Sequence, residues 1–214
     1  MNGIIKAIAL TAAICSFSAC LFGCEKKEES SNVVITEDEM PYGATITQLK
    51  ASEDNGIKIG IDYDNRFVSE DEARLVSNYV AALNSKDAEL MAQVYYPPYF
   101  ESIVNASGEA DGTAYLQSRF AAIEERTGGT TDMEYVTIES VEDDKEMAEE
   151  YSNLEIGLKE IAGEDITSKI RSKKVVGIDI IYSLNGENSI SLANTLGQYS
   201  YLFIYDIDGQ LYIL

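Results

Sequence analysis

The chain has no histidine and no tryptophan, and its 3 cysteines (Cys15, Cys20 and Cys24) all lie near the N-terminus. Without histidine, Ser-His-Asp and Cys-His catalysis and His-ligated zinc are excluded. Basic residues are scarce: 16 Lys+Arg stand against 37 Asp+Glu, for a formal net charge of -21. Such a surface repels phosphate backbones, so nucleic acid is not an expected partner. It also repels anionic lipid, so a membrane would have to hold this protein covalently. The charge itself is read as a solubility device. What the chain does have is 45% apolar residues and 14 tyrosines in a length of 214. That suffices for one medium domain with its own core and a processed N-terminus.

Residues 1–23 carry a single charge, Lys6, followed by an apolar run from Ala7 through Leu10, Ile14 and Phe17 to Gly23. Cys24 comes next, and then the polar string Glu25-Lys26-Lys27-Glu28-Glu29-Ser30-Ser31-Asn32. A basic start, a short apolar stretch and a small residue before a cut form the pattern of a secretory signal. A transmembrane helix fits less well. Ser16, Ser18 and the cysteines interrupt the run, and Glu25 and Glu28 neutralise the flanking Lys26 and Lys27.

Leu21-Phe22-Gly23-Cys24 resembles the lipobox of bacterial lipoproteins, with Phe22 bulkier than the residue usual at that place. Phe17-Ser18-Ala19-Cys20 is a second candidate. Polar sequence begins directly after Cys24, which favours Cys24 as the lipid-attachment site. The resemblance implies a diacylglycerol on the Cys24 thiol, cleavage before it, and an extracytoplasmic protein anchored to the cell membrane. The remainder of the chain then has no disulfide, thiol nucleophile or cysteine metal site, and stands on its hydrophobic core.

Four segments follow from composition and periodicity. Residues 1–23 read as signal peptide and 24–40 as a flexible acidic and polar tether. Residues 41–68 read as a β-hairpin extension, with Asn55-Gly56 as turn chemistry before the alternating Ile57, Ile59 and Ile61. Residues 69–214 read as the main domain. There Ser69 and Glu72 form a capping box, Asp87 and Asp111 open further helices, and Gly128-Gly129 ends the last of them. Met133, Tyr135, Thr137 and Glu139 alternate as one face of a strand. Residues 143–162 are helical in composition. Val175 to Leu184, Asn185-Gly186 and Glu187 to Leu192 form a hairpin pattern, and Tyr199 to Tyr205 is strand-like.

Helices followed by hairpin-linked strands make an α+β layout, expected as N-terminal helices packed on a curved antiparallel sheet. This order resembles the NTF2-like (cystatin-like) superfamily, through the helix ending Val80-Ala81-Ala82-Leu83-Asn84-Ser85-Lys86-Asp87 and the closing hairpin Tyr205 to Ile213. The resemblance implies a cone with a pocket inside, used for isomerase or dehydratase chemistry in some members and for binding alone in others. No catalytic residue of those enzymes matches a position here. No cofactor or metal set is expected either. Asp62-Tyr63-Asp64-Asn65 and Asp206-Ile207-Asp208-Gly209 are incomplete calcium loops, read as turn chemistry. The acidic run from Glu142 to Glu150 reads as a solvated helix start. Tyr95-Tyr96-Pro97-Pro98-Tyr99-Phe100 is the conspicuous aromatic cluster. Its Tyr95, Tyr96 and Tyr99 are the pocket candidates, and packing in a helix corner is the plainer alternative. The expected role is a non-enzymatic module of the cell envelope that binds a small ligand or an envelope protein. A carboxylate- and tyrosine-based hydrolase or isomerase and a structural dimerisation module are the alternatives.

Overall fold

The computed structural model describes residues 40–162 and 166–214. The signal peptide, both lipobox candidates and nearly all of the tether lie outside the described residues. Pro41 to Leu214 form one compact unit, so the 41–68 segment shares a body with the rest.

Two short strands come first, β1 (Ile46–Leu49) and β2 (Gly60–Asp64), paired antiparallel. Four helices follow: α1 (Glu70–Ser85), α2 (Ala88–Val94), α3 (Pro97–Ser107) and α4 (Gly112–Thr127). Their boundaries are local chemistry. The Ser69 hydroxyl accepts from the Glu72 amide while the Glu72 carboxylate accepts from the Ser69 amide, satisfying two otherwise orphaned donors. The Asp87 carboxylate caps α2, and the Asp111 carboxylate caps α4. Pro97 and Pro98 do more than stop α2. They occupy the first two positions of α3, where a missing N–H costs nothing.

The rest of the chain is β3 (Thr131–Val141), α5 (Ala148–Ala162), a 3-10 turn (Ile166–Lys169), β4 (Ile170–Leu184), β5 (Glu187–Ser191), α6 (Leu192–Leu196), β6 (Ser200–Ile207) and β7 (Gln210–Ile213). The β4–β5 turn places Asn185 and Gly186 at φ 54° and 76°, the pair of positive values that a type I′ turn needs.

The sheet runs β1-β2-β3-β4-β6-β7, with β5 also paired to β4. Two features overturn the NTF2-like cone and the purely antiparallel sheet. β2 joins β3 in parallel, with α1–α4 supplying the long crossover that parallel neighbours require. The end strands β1 and β7 do not pair with each other, and the sheet is open rather than closed or strongly curled. The hairpin signals were local, whereas the parallel pair is made by residues such as Ile61 and Val136, far apart in sequence.

The strand at 131–141 corrects a second expectation. Register shifts between Met133 and Tyr135 and between Ile138 and Ser140 break its alternation. Met133, Val136 and Ile138 therefore share the core face, and Tyr135 turns to the other face.

Each face of the sheet carries its own core. Under α1–α4 and α6 lie residues such as Ile61, Val80, Phe120, Ile138, Ile178 and Ile204. On the opposite face α5 packs Tyr151 and Leu158 against Val175, Tyr205 and Ile207. α3 reaches both layers, because its Phe100 is buried in the first core and its Tyr99 packs against the second.

Candidate functional site

The helical layer leaves a cleft of about 170 Å3 between α1, α2, α4, α6 and the sheet. Its floor is apolar, with Ile178 and Ile180 from β4 and Leu192 and Leu196 from α6. Its walls are aromatic. Tyr79 comes from α1, Tyr115 from α4, and Tyr95 from the C-terminal cap of α2. The extended backbone of Tyr95 turns the chain out of α2 just before the prolines, which carries its ring into the cleft wall.

The rings support one another. Tyr95 stacks on Phe100 with centroids 5.6 Å apart, and Tyr79 meets Tyr95 edge-on at 6.0 Å. Phe100 in turn meets Tyr115 edge-on at 6.2 Å. Offset and edge-to-face contacts of this kind hold aromatic walls in place. Burial pushes the Tyr95 phenol well above its ordinary pKa, and the neighbouring Tyr79, Tyr115 and Tyr99 push it further. Burial raises Tyr79 as well, while the Arg119 guanidinium pulls it the other way. These phenols therefore stay neutral at physiological pH and act as hydrogen-bonding groups rather than as bases.

α4 supplies the rim. Tyr115, Arg119, Ile123 and Arg126 follow one another at helical spacing, and all four line the cleft. Both arginines are exposed. Positions three and four residues away from Arg119 hold Tyr115, Leu116, Ala122 and Ile123, and those around Arg126 hold Ala122, Ile123, Gly129 and Thr130. No carboxylate sits where a helix would pair one with either arginine. Arg74 shows the contrasting arrangement, with Glu70 and Asp71 at 2.9 and 2.6 Å.

The sequence candidates divide between the two layers. Tyr95 lines the cleft. Tyr99 lies beside it, its ring 6.0 Å from that of Tyr95, but also packs with the second core. Tyr96 turns away to meet Tyr212 edge-on at 5.5 Å within that second core. Tyr79, Tyr115, Arg119 and Arg126 escaped sequence reasoning. The one local signal for the arginines was the lack of acidic neighbours at helical spacing in so acidic a chain.

Other polar groups are occupied in holding the fold. Asp64 is fully buried, paired with Arg66 at 2.5 Å and accepting from the Gly43 amide. The Arg66 guanidinium is the main cause that holds its carboxyl down at about 2. Asp206 accepts from the Gly209 amide, an ordinary turn bond. Asp143 accepts from the Lys145 amide at the start of the acidic run. Among the described residues no group of His, Cys, Asp and Glu is placed to hold a metal ion. The carboxylate–phenol pairs Tyr135 with Asp62 and Tyr151 with Asp144 do not line the cleft. A wider, open groove of about 450 Å3 runs past Glu155, Arg171 and Lys173. Its Lys173 is taken up by Glu155 at 2.6 Å and lies over the Tyr151 ring. No helix among the described residues is long and apolar enough to cross a membrane.

No family model matches the chain, and neither the curated proteins nor the solved structures compared with it include a similar one, so neither the lipobox nor the NTF2-like resemblance gains support from a relative.

Proposed function

We propose that this protein is a membrane-tethered, extracytoplasmic binding module whose ligand site is the cleft between α4, α6 and the sheet. The observation that carries the reading is the wall chemistry of that cleft. It combines an apolar floor, neutral phenols and two arginines, and no carboxylate lines it. A concave apolar site with a few convergent polar groups is suited to holding a small molecule. Acid–base chemistry needs a group that titrates near the working pH, and burial moves these phenols away from it. The hydrolase or isomerase alternative asks for a carboxylate beside a phenol in the cavity, and no carboxylate lines this one. The dimerisation alternative asks for an exposed apolar sheet face. The stretch of sheet that α5 leaves uncovered carries Asp62, Thr137 and Asp179 in register instead.

The tether rests on Leu21-Phe22-Gly23-Cys24 and on the polar stretch after it. Cell fractionation with mass spectrometry of the mature N-terminus tests it. The expected result is a diacylated peptide starting at Cys24, and release of the Cys24→Ser variant from the membrane fraction. An unmodified N-terminus starting elsewhere would overturn the tether. The cleft is tested with a one-ring neutral probe, benzyl alcohol. It is expected to bind saturably to the wild type and not to Leu196→Trp, in which the indole fills the floor.

A further inference from the structure

We infer that the cleft selects a one-ring or similarly sized organic anion, its apolar body on the sheet floor and its negative group at Arg119 and Arg126. This deepens the binding reading above and rests on it. The first support is size. A cavity of about 150 Å3 holds one benzene molecule, and this cleft measures about 170 Å3. That matches one ring or a short branched chain.

The second support is charge. The chain carries 37 acidic residues against 16 basic ones, so carboxylates that could engage a cation are plentiful in it. Elsewhere several cations are engaged by carboxylates: Arg66 by Asp64, Arg74 by Glu70 and Asp71, Lys173 by Glu155 and Lys174 by Glu72. The two arginines at the rim make no ion pair with a carboxylate among the described residues. They stand two helical turns apart on one side of α4, over the same opening. Arg119 also acts on the Tyr79 phenol inside, so its charge reaches the cavity as well as solvent. Arginine presents a planar fork of donors suited to a carboxylate or sulfonate.

The third support is the neutral phenols. Burial keeps Tyr79 and Tyr95 uncharged, so the cleft wall does not oppose the charge that the rim attracts. Cationic ligands gain nothing here, because no carboxylate lines the site.

The test titrates the purified full chain with benzoate and with benzyl alcohol, which share one ring and differ in charge. Calorimetry gives the affinities, and nuclear magnetic resonance shift changes locate the site. Benzoate is expected to bind at least tenfold more tightly than benzyl alcohol. In the double variant Arg119→Gln/Arg126→Gln that ratio is expected to fall towards one. Both side chains are exposed, so the variant is expected to keep its thermal midpoint. Equal binding of the two probes to the wild type would overturn the anion selectivity and leave the cleft as a neutral site. A benzoate preference that survives the double variant would also overturn it. Failure of both probes to bind would overturn the cleft as a binding site altogether.

Discussion

The sheet face under α1–α4 and α6 and the face under α5 are built from the same strands but bury different things. The first is covered by five helices, and its core is mostly aliphatic, joined by the rings of Phe100 and Phe120. The second is covered only where α5 lies, and there tyrosines take a larger share: Tyr151 and Tyr205 are buried, with Tyr96, Tyr99 and Tyr212 packed around the cluster. Beyond α5 the second face is polar, and its glycines are roofed by rings. Tyr135 lies across Gly60, and Tyr201 across Gly177. Each ring sits on the strand next to its glycine, in register with it. A flat ring over a missing side chain restores the packing that glycine gives up. A thinly covered face thus carries phenols and carboxylates beside its core, while the thickly covered face buries mostly aliphatic side chains, with Tyr63 and Tyr182 as buried phenols away from the cleft.

The largest test of this contrast is Phe120→Ala. The ring is 2% exposed in the thick layer, with the Lys86 ammonium 3.4 Å from its centroid. Truncation is expected to cost about 4 kcal/mol, read from urea unfolding. A loss below about 1 kcal/mol would mean that the thick layer repacks freely and differs little from the thin one.

Next in size is Asp64→Asn, at the edge of the second face. Breaking a buried ion pair by neutralising one partner typically costs about 3 kcal/mol. Its pH dependence has a defined sign. The folded-state pKa of Asp64 is held near 2, below its ordinary value of 3.8. The stability it contributes is therefore fully present above pH 3.8 and is lost as the pH falls towards 2. Unfolding measured from pH 6 down to pH 2 should show the variant catching up with the wild type across that window. A gap that stays constant with pH would assign the loss to packing rather than charge.

The third test is Gly60→Ala. A Cβ there would stand 2.3 Å from the Tyr135 ring. The ring must swing away and give up the Tyr135–Asp62 hydrogen bond, for an expected cost of about 2 kcal/mol. In the double variant with Tyr135→Ala the two losses should add to less than their sum, because one clash serves both. Strict additivity in thermal unfolding would show that the ring does not pack on this glycine.

Local chemistry was legible in advance, and pairings across the chain were not. Ser69 with Glu72, Asp87, Asp111, Gly128 and Asn185-Gly186 each announce a terminus or a turn, because their partners lie within a few residues. The parallel β2–β3 pair has no such marker, and neither have the bulges that bring Met133, Val136 and Ile138 to one face. α6 was also missed, since Leu192–Leu196 is short and its first residue reads as the end of a strand. The cleft assembles Tyr79, Tyr95, Tyr115, Arg119 and Arg126 from three separate places in the chain. Only Tyr95 stood out beforehand, because Pro97 and Pro98 mark its corner.

The smallest expected effect concerns the outer side of α5. Ile156 is 54% exposed, the most exposed of the large apolar residues described. Its helix neighbours Tyr151 and Leu158 are buried against the sheet, so Ile156 belongs to the opposite stripe of α5. A single exposed apolar side chain is ordinary for a protein surface and signals no partner by itself. Ile156→Gln is therefore expected to change stability by less than about 0.5 kcal/mol, and to leave the sedimentation profile unchanged. A loss well above that, or a change in association state, would show that the thinly covered face is completed by a contact outside the chain. The difference between the two faces would then reflect an incomplete layer rather than a tolerance for polar groups.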